Sequence, residues 1–388
     1  MRRPTLAYLR TESGAGLIIA IAAVAAVAIA NSRLAGRYFE VLATPVPFRI
    51  GGFEETLSLA AWARNLLMPV FFLVIGMQLK FESLRGELSR TRRLALPVLA
   101  ALGGLVGPAL IYWVVSRGAG GGWAVGLATD GGLALAVLTL AAPGLSPSLR
   151  VLVMGVALAD NLAAAVVAAI LAPGRLDSEM MLGAGVALAA LAALSRWRRA
   201  PFAFYAAGFV AVWGFALKSG LDASLAGVLC AFTVPVGARR PGQESTLKYF
   251  MDSLHPYVAF AVLPLFVLTA ASVPFADLRP SALMAPAPLG VLLALAIGKP
   301  LGVFGFCAAG LVSRRVRRPL GARWSEIGAV SILCGVGLAV SSFAVGVDGV
   351  GAAAEAAVLA ASALTAVAGF GLLAWTEERR VSDEVQPG

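Results

Sequence analysis

The chain has 388 residues, 59% of them hydrophobic and only 13% charged, with a mean hydropathy of +0.86. That balance excludes an ordinary water-soluble domain. A formal net charge of +10 would suggest a nucleic-acid surface in a soluble protein, but here the location of the charges decides against it.

Apolar runs near twenty residues recur along the whole length, each long enough to cross a hydrocarbon core of roughly 30 Å as a helix. We count about twelve: near 14–31, 59–79, 95–116, 123–142, 151–172, 180–195, 201–217, 223–236, 250–272, 286–311, 326–346 and 353–375. The expected fold is all-α and polytopic, one integral membrane domain over 1–388 with short tails at about 1–12 and 377–388. Basic residues follow the alternation of loops that twelve spans create. Arg33, Arg37, Arg49, Arg64, Arg117, Arg175, Lys218 and Arg279 fall on one side, Lys299 lies inside a span, and the other 22 fall on the opposite side. By the positive-inside rule both termini face the cytoplasm. A cluster such as "SRRVRR" at 313–318 then reads as a topology determinant facing anionic membrane lipid, not a nucleic-acid site.

The basic stretch "MRRPTLAYLR" before the first run reads as the start of a retained helix that serves as an uncleaved signal. The first outer loop holds "VPFRIGGFEETL", two short extended pieces around Gly51 and Gly52, which predicts a small β-hairpin over 45–56. An isolated hairpin is marginal in water, so this one is expected to pack on something, such as a second copy of the chain. Cys230, Cys307 and Cys334 all fall within spans and form no CxxC pair, so neither disulfide nor metal site is implied.

Two spans are poor continuous helices. The fourth contains "ATDGGLA" at 128–134 and the eleventh "CGVGLAVSS" at 334–342, so Gly131, Gly132, Gly335 and Gly337 are expected to break them. Irregular backbone in a membrane is tolerated where it lines a cavity, and matching interruptions in the two halves of a transporter mark a substrate site near the midplane. Glycine alone would also serve close helix packing, an explanation that has no need of Thr129 and Asp130.

Three ionisable residues fall deep in the spans: Asp130, Asp160 in "GVALADNLAAAVV", and Lys299 in "LALAIGKPLG". A charge at the centre of a membrane helix costs about 2.5–3.5 kcal/mol, so the three are expected to share a site. Lys occurs 4 times against 27 for Arg, which makes Lys299 informative. Arginine does not release its proton and a desolvated lysine can; the alternative is that Lys299 simply pairs with a carboxylate. A pocket holding Asp160 and Lys299 could exchange protons for a small cation. Asp130 has a structural reading beside the functional one, as counter-charge to helix ends that meet at mid-membrane. Glu355, Glu326 and Asp222 stand near span ends, where solvated interfacial carboxylates are expected. With one histidine, no paired metal ligands and no nucleophile-base arrangement, no enzyme and no cofactor is expected.

Over nearly its whole length the chain resembles the NhaA-type sodium/proton antiporters. The resemblance rests on "ESGAGLIIAIAAVAAVAIANS", "MPVFFLVIGMQLK", "ATD", "LHPYVAFAVLPLF", "IGKPLG" and "ILCGVGLAVS" in that order. It implies twelve helices in inverted repeats, crossed broken fourth and eleventh helices, a homodimer contacted through the hairpin, and exchange of cytoplasmic sodium or lithium for outside protons across a bacterial inner membrane, in the service of pH homeostasis. Thr129 and Asp130 match the family's fourth-span threonine and acid, and Lys299 its tenth-span lysine. The family's adjacent fifth-span aspartates are here Asp160 and Asn161, so transient sodium ligation falls to Asp160, Asn161 and Thr129. Among pH-responsive positions Glu82 and His255 remain, while Gln78, Phe81, Asp222 and Met251 replace a glutamate, an arginine, a histidine and a glutamate. The carboxamide keeps an oxygen that can ligate sodium but brings no charge and carries no proton. The expectation is therefore a weak or electroneutral exchanger with a flatter or shifted pH profile. The alternative is a homologue on the same scaffold that has lost sodium transport and carries another solute or has a regulatory role.

Overall fold

The computed structural model describes residues 12–50, 53–84, 91–118, 122–142, 144–171, 176–197, 201–237, 245–313, 316, 318, 322–348 and 351–385. The tail before residue 12, the glycines 51–52 of the predicted hairpin turn and most of the arginine cluster at 313–318 lie outside them.

Helix α1 (Glu12–Ala30) is followed by α2 (Ala35–Ala43), set at 109° to it. Strands β1 (Pro45–Ile50) and β2 (Phe53–Ser58) pair antiparallel in the register Pro45↔Ser58 to Ile50↔Phe53, the hairpin expected from the sequence. Then come α3 (Leu59–Leu84), α4 (Thr91–Ser116), a 3-10 turn (Gly122–Leu127), α5 (Gly131–Ala141), α6 (Pro147–Leu171), α7 (Ser178–Leu194), α8 (Phe202–Ser219) and α9 (Ser224–Thr233). The second half continues with α10 (Thr246–Ala270), α11 (Pro286–Val312), α12 (Trp324–Leu333), α13 (Leu338–Asp348) and α14 (Ala352–Val385). Among the described residues seven helices are long and apolar enough to cross a membrane, or nine if each of two bent pairs counts as one span. The protein is an all-α polytopic membrane protein. Lipid offers backbone groups no hydrogen bonds, so apolar segments satisfy them internally as helices.

Prolines shape three of these helices. Stretches of π-helix at Ala63–Leu67, Val258–Val262 and Ala294–Gly298 each end two residues before Pro69, Pro264 or Pro300. A proline lacks the N–H that would bond four residues back and its ring crowds that carbonyl, so the turn before it widens. The third widened turn ends immediately before Lys299. Helix α11 also lies very close to α4, where Gly302 faces Gly103 and Gly107, and a Cβ on Gly298 would stand 2.9 Å from Pro108 Cα. This contact needs glycine on both helices, and it carries Lys299 inward.

Short α9 ends beside Lys80 of α3, whose ammonium donates to the carbonyls of Phe232 and Val234 at 2.6 Å each. A residue read as a topology charge thus also caps a helix. Glu326 corrects the interfacial reading: it is 1% exposed, and its Oε2 accepts the Arg323 N–H at 2.8 Å, closing the start of α12. An N-terminal turn draws a carboxylate inward because its N–H groups have no helical partner. Glu355 departs from that reading too, since its Oε1 is buried. The tail expected from 377 is helical through Val385 as part of α14.

Candidate functional site

Helical geometry lapses at 128–130, between the 3-10 turn and α5, and again between α12 and α13. The two irregular stretches meet, and the Asp130 N–H donates to the Val336 carbonyl at 2.7 Å. Gly131 and Gly132, expected to form the break, are instead the first helical residues of α5, with extended Asp130 as their cap. Gly337 does lie in the irregular connection, and a Cβ there would stand 2.8 Å from the Ala128 carbonyl oxygen. Gly335 sits in the turn after α12 against the Leu295 carbonyl.

The crossing sets two helix N-termini against one carboxylate. Asp130 Oδ1 accepts the Leu133 N–H at 3.3 Å, and the Ala339 N–H at the start of α13 lies near this side chain. It sets two C-termini against a cation and a hydroxyl. Lys299 Nζ donates to the Leu127 carbonyl, and Thr129 Oγ1 stands 2.8 Å from the Cys334 carbonyl oxygen. The charges complement the helix ends, so the structural reading of Asp130 is met by the geometry.

Asp160 lies on α6, fully buried. Its Oδ2 is 2.9 Å from Lys299 Nζ and 2.8 Å from Thr129 Oγ1. Its Oδ1 has no hydrogen-bond partner among the described residues. Gly104 of α4 leaves room for this carboxylate, because a Cβ there would stand 3.3 Å from Oδ2. Thr129 has one hydroxyl hydrogen and two acceptors, so while Asp160 is ionised one acceptor goes unserved. Once Asp160 is protonated, its O–H donates to Thr129 and Thr129 donates to Cys334. The same atoms thus hold either a lysine-paired anion or a neutral acid with both bonds made.

A cavity of ≈ 190 Å³ adjoins the site. Asp130, Gly131, Gly132 and Asn161 lie on its wall, together with Gln78, Glu82 and His255. Asn161 Oδ1 and Asp130 Oδ2 are buried without hydrogen-bond partners among the described residues. Asp160 is not on that wall, so the pair it forms with Lys299 is shut off from the cavity by its own neighbours. The structure therefore brings Thr129, Asp130, Asp160, Asn161 and Lys299 together, with Glu82 and His255 on the approach. Asp222 stands apart, accepting the Ser224 N–H at 2.8 Å before α9. Phe81 and Met251 pack against one apolar core, and this accounts for their apolar character. Sequence reasoning missed Gly104 and Ser362, whose hydroxyl accepts the Gly337 N–H at 3.2 Å. Only the glycine-rich "ALGGLVGP" hinted at the first.

The family model for "Na+/H+ antiporter 1" matches residues 6–373. The chain belongs to this family. A protein of Haemophilus ducreyi named Na(+)/H(+) antiporter NhaA is 35% identical over 344 residues, covering 88% of this chain and 87% of that one. One of the same name from Rhodospirillum rubrum is 40% identical over 87% of this chain and 86% of its own. Another from Bordetella parapertussis is 38% identical over 385 residues, 96% of this chain and 97% of its own. None of these relatives supports the reading of a scaffold that has lost sodium transport.

Proposed function

We propose that the chain exchanges sodium, and lithium in its place, for protons across a bacterial inner membrane. One observation carries the reading: a buried Asp160–Lys299 ion pair at the crossing of two interrupted helices, one residue from a cavity walled by Asn161 and Asp130. Sodium is a hard cation that binds oxygen, and the three oxygens of Asp130, Asp160 and Asn161 that lack partners among the described residues, with Thr129, are its natural ligands. Taking Asp160 for itself, the ion displaces the Lys299 ammonium, which then gives up its proton. Ion pair and sodium-loaded carboxylate carry the same net charge, so one sodium leaves for one proton and the cycle is electroneutral.

The charge pattern supports twelve crossings with both termini in the cytoplasm and the cavity open to that side. The interrupted fourth and eleventh spans fit inverted repeats, and the whole of 1–388 works as one unit without a resident cofactor. Glu82 and His255 serve as the pH-responsive groups on the approach, without Asp222. The hairpin 45–56, with Val46 38% and Phe48 36% exposed although Phe48 packs on Trp62, is the contact of a homodimer set among anionic lipids.

Proteoliposomes challenged with sodium or lithium under a pH gradient test the reading. Wild-type protein collapses the gradient and Asp160→Asn does not; flux that survives Asp160→Asn refutes the assignment.

A further inference from the structure

The crossing leaves one buried carboxylate unexplained. Glu355 lies in the first turn of α14, and its Oε1 is enclosed without a partner among the described residues. The Ser342 hydroxyl of α13 lies near it and, like Oε1, makes no hydrogen bond among the described residues. Next to it, Ser341 is 0% exposed, and its hydroxyl too is without a partner. Buried helical hydroxyls here usually bond back to a carbonyl one turn earlier, as Ser331 does to Ile327 at 2.7 Å and Thr365 to Ala361 at 2.8 Å. Ser341 does not, and an enclosed polar atom left open in this way calls for another partner.

The position of these groups gives the partner. Ser342 is about 6 Å along α13 from its first residue at the crossing. Ser341 Oγ would stand 2.6 Å from a Cβ on Gly337, a point itself 2.8 Å from the Ala128 carbonyl oxygen. The next residue, Thr129, reaches Asp160 Oδ2. Ser342, Ser341 and Thr129 thus stand between Glu355 and Asp160, with the two serine hydroxyls unbonded among the described residues, and none of these groups walls the Glu82 and His255 cavity. Around them, Pro286–Leu293 of α11 and the short helix Pro280–Leu283 pack on α14 and contribute no charged side chain. The ionisable groups on its other neighbours are engaged elsewhere: Lys299 with Asp160, Asp130 at the helix N-termini, Glu326 at the start of α12. Asp348 of α13 lies beyond the residues whose side chains are described.

We propose that Glu355 is the proton-carrying carboxylate of the outward route, taking protons from the outer water and passing them along Ser342 and Ser341 toward Thr129 and Asp160. This rests on the antiport reading. In each step a hydronium or acid O–H loses a proton to the next oxygen, which releases its own hydrogen onward, so every hydroxyl ends as it began and one positive charge has moved. The acid missing at residue 161 then has a counterpart nearer the outer face.

The test is sodium-driven proton uptake by proteoliposomes of one orientation, with outside pH varied and inside pH fixed. Wild type keeps a plateau as outside pH rises. Glu355→Gln loses it, its rate falling roughly tenfold per pH unit to a deficit on the order of 10²-fold at the alkaline end. Glu355→Asp recovers the plateau, and Ser342→Ala shifts the profile in the same direction as Glu355→Gln. Sodium-dependent thermal stabilisation in detergent shows that each variant is folded. A Glu355→Gln or Ser342→Ala profile superimposable on wild type overturns the inference, as does a Glu355→Asp as impaired as the amide. Inert wild-type protein is a different failure, removing the antiport reading and this inference with it.

Discussion

Lys299 Nζ stands 2.9 Å from Asp160 Oδ2, and neither side chain has any exposure to solvent. Each is the other's means of staying charged, since an ion isolated in a low-dielectric interior carries a desolvation penalty that only a close partner offsets. The pair also joins two otherwise separate features. Lys299 reaches the Leu127 carbonyl at one helix end, and Asp160 reaches Thr129 within the extended stretch.

Removing one partner strands the other, so Lys299→Met should lower stability by about 3–5 kcal/mol. Adding Asp160→Asn removes the stranded charge and should restore most of that loss. Melting in detergent with both single variants and the double variant measures the coupling. A double variant as unstable as the sum of its singles would show that the two side chains do not support each other.

Protonation of Lys299 restores the ion pair that holds Asp160 against sodium, so lowering the pH must weaken the ion's hold. With both ions contending for one carboxylate, the apparent KM for sodium should rise with acidity and approach about tenfold per pH unit once the acid form dominates. The sign is fixed: affinity is present at high pH and lost as pH falls. Initial rates against sodium concentration at several pH values check this, and a pH-independent KM would rule out direct competition.

Much of this is legible in the sequence, for physical reasons that differ by residue. Long apolar runs permit only helices, and lone charges inside them are costly enough that Asp160 and Lys299 had to meet. Burial within a helix is less readable. Adjacent Asp160 and Asn161 point in different directions, and only the packing of α4 and α11 decides that the carboxamide rather than the carboxylate lines the cavity. Breaks marked by Gly131 and Gly132 actually lie at 128–130, because Asp130 caps a helix that those glycines then begin. Glu326 departs from the interfacial pattern of carboxylates near span ends, because a helix N-terminus supplies what water would have. The widened turns before Pro69, Pro264 and Pro300 left a signal in the sequence, an X-Pro step deep in an apolar run, which periodicity does not register.

Close approach at the crossing makes Gly337 sensitive to a single methyl group. A Cβ there would meet both the Ala128 carbonyl and the Ser341 hydroxyl, so Gly337→Ala should cost about 1–3 kcal/mol as overpacking and slow transport. Gly371 in α14 has open space at the corresponding point, and Gly371→Ala should be neutral or slightly stabilising. Equal melting temperatures for the two alanine variants would mean that the crossing is looser than these distances indicate.

Asn161→Asp places a second carboxylate on the cavity wall, one residue from the ion pair. With Lys299 the only cation bonded to Asp160 among the described residues, the added acid has no dedicated counter-charge there and must be neutralised by a proton or a cation in each cycle. The number of protons exchanged per sodium then exceeds one, and net charge crosses the membrane. Wild-type flux should be indifferent to an imposed potential, whereas Asn161→Asp flux should quicken or slow with its sign. Rates in potassium-loaded proteoliposomes with valinomycin measure this directly. A wild type already driven by potential would end the electroneutral reading, and an indifferent Asn161→Asp would show that residue 161 does not set the stoichiometry.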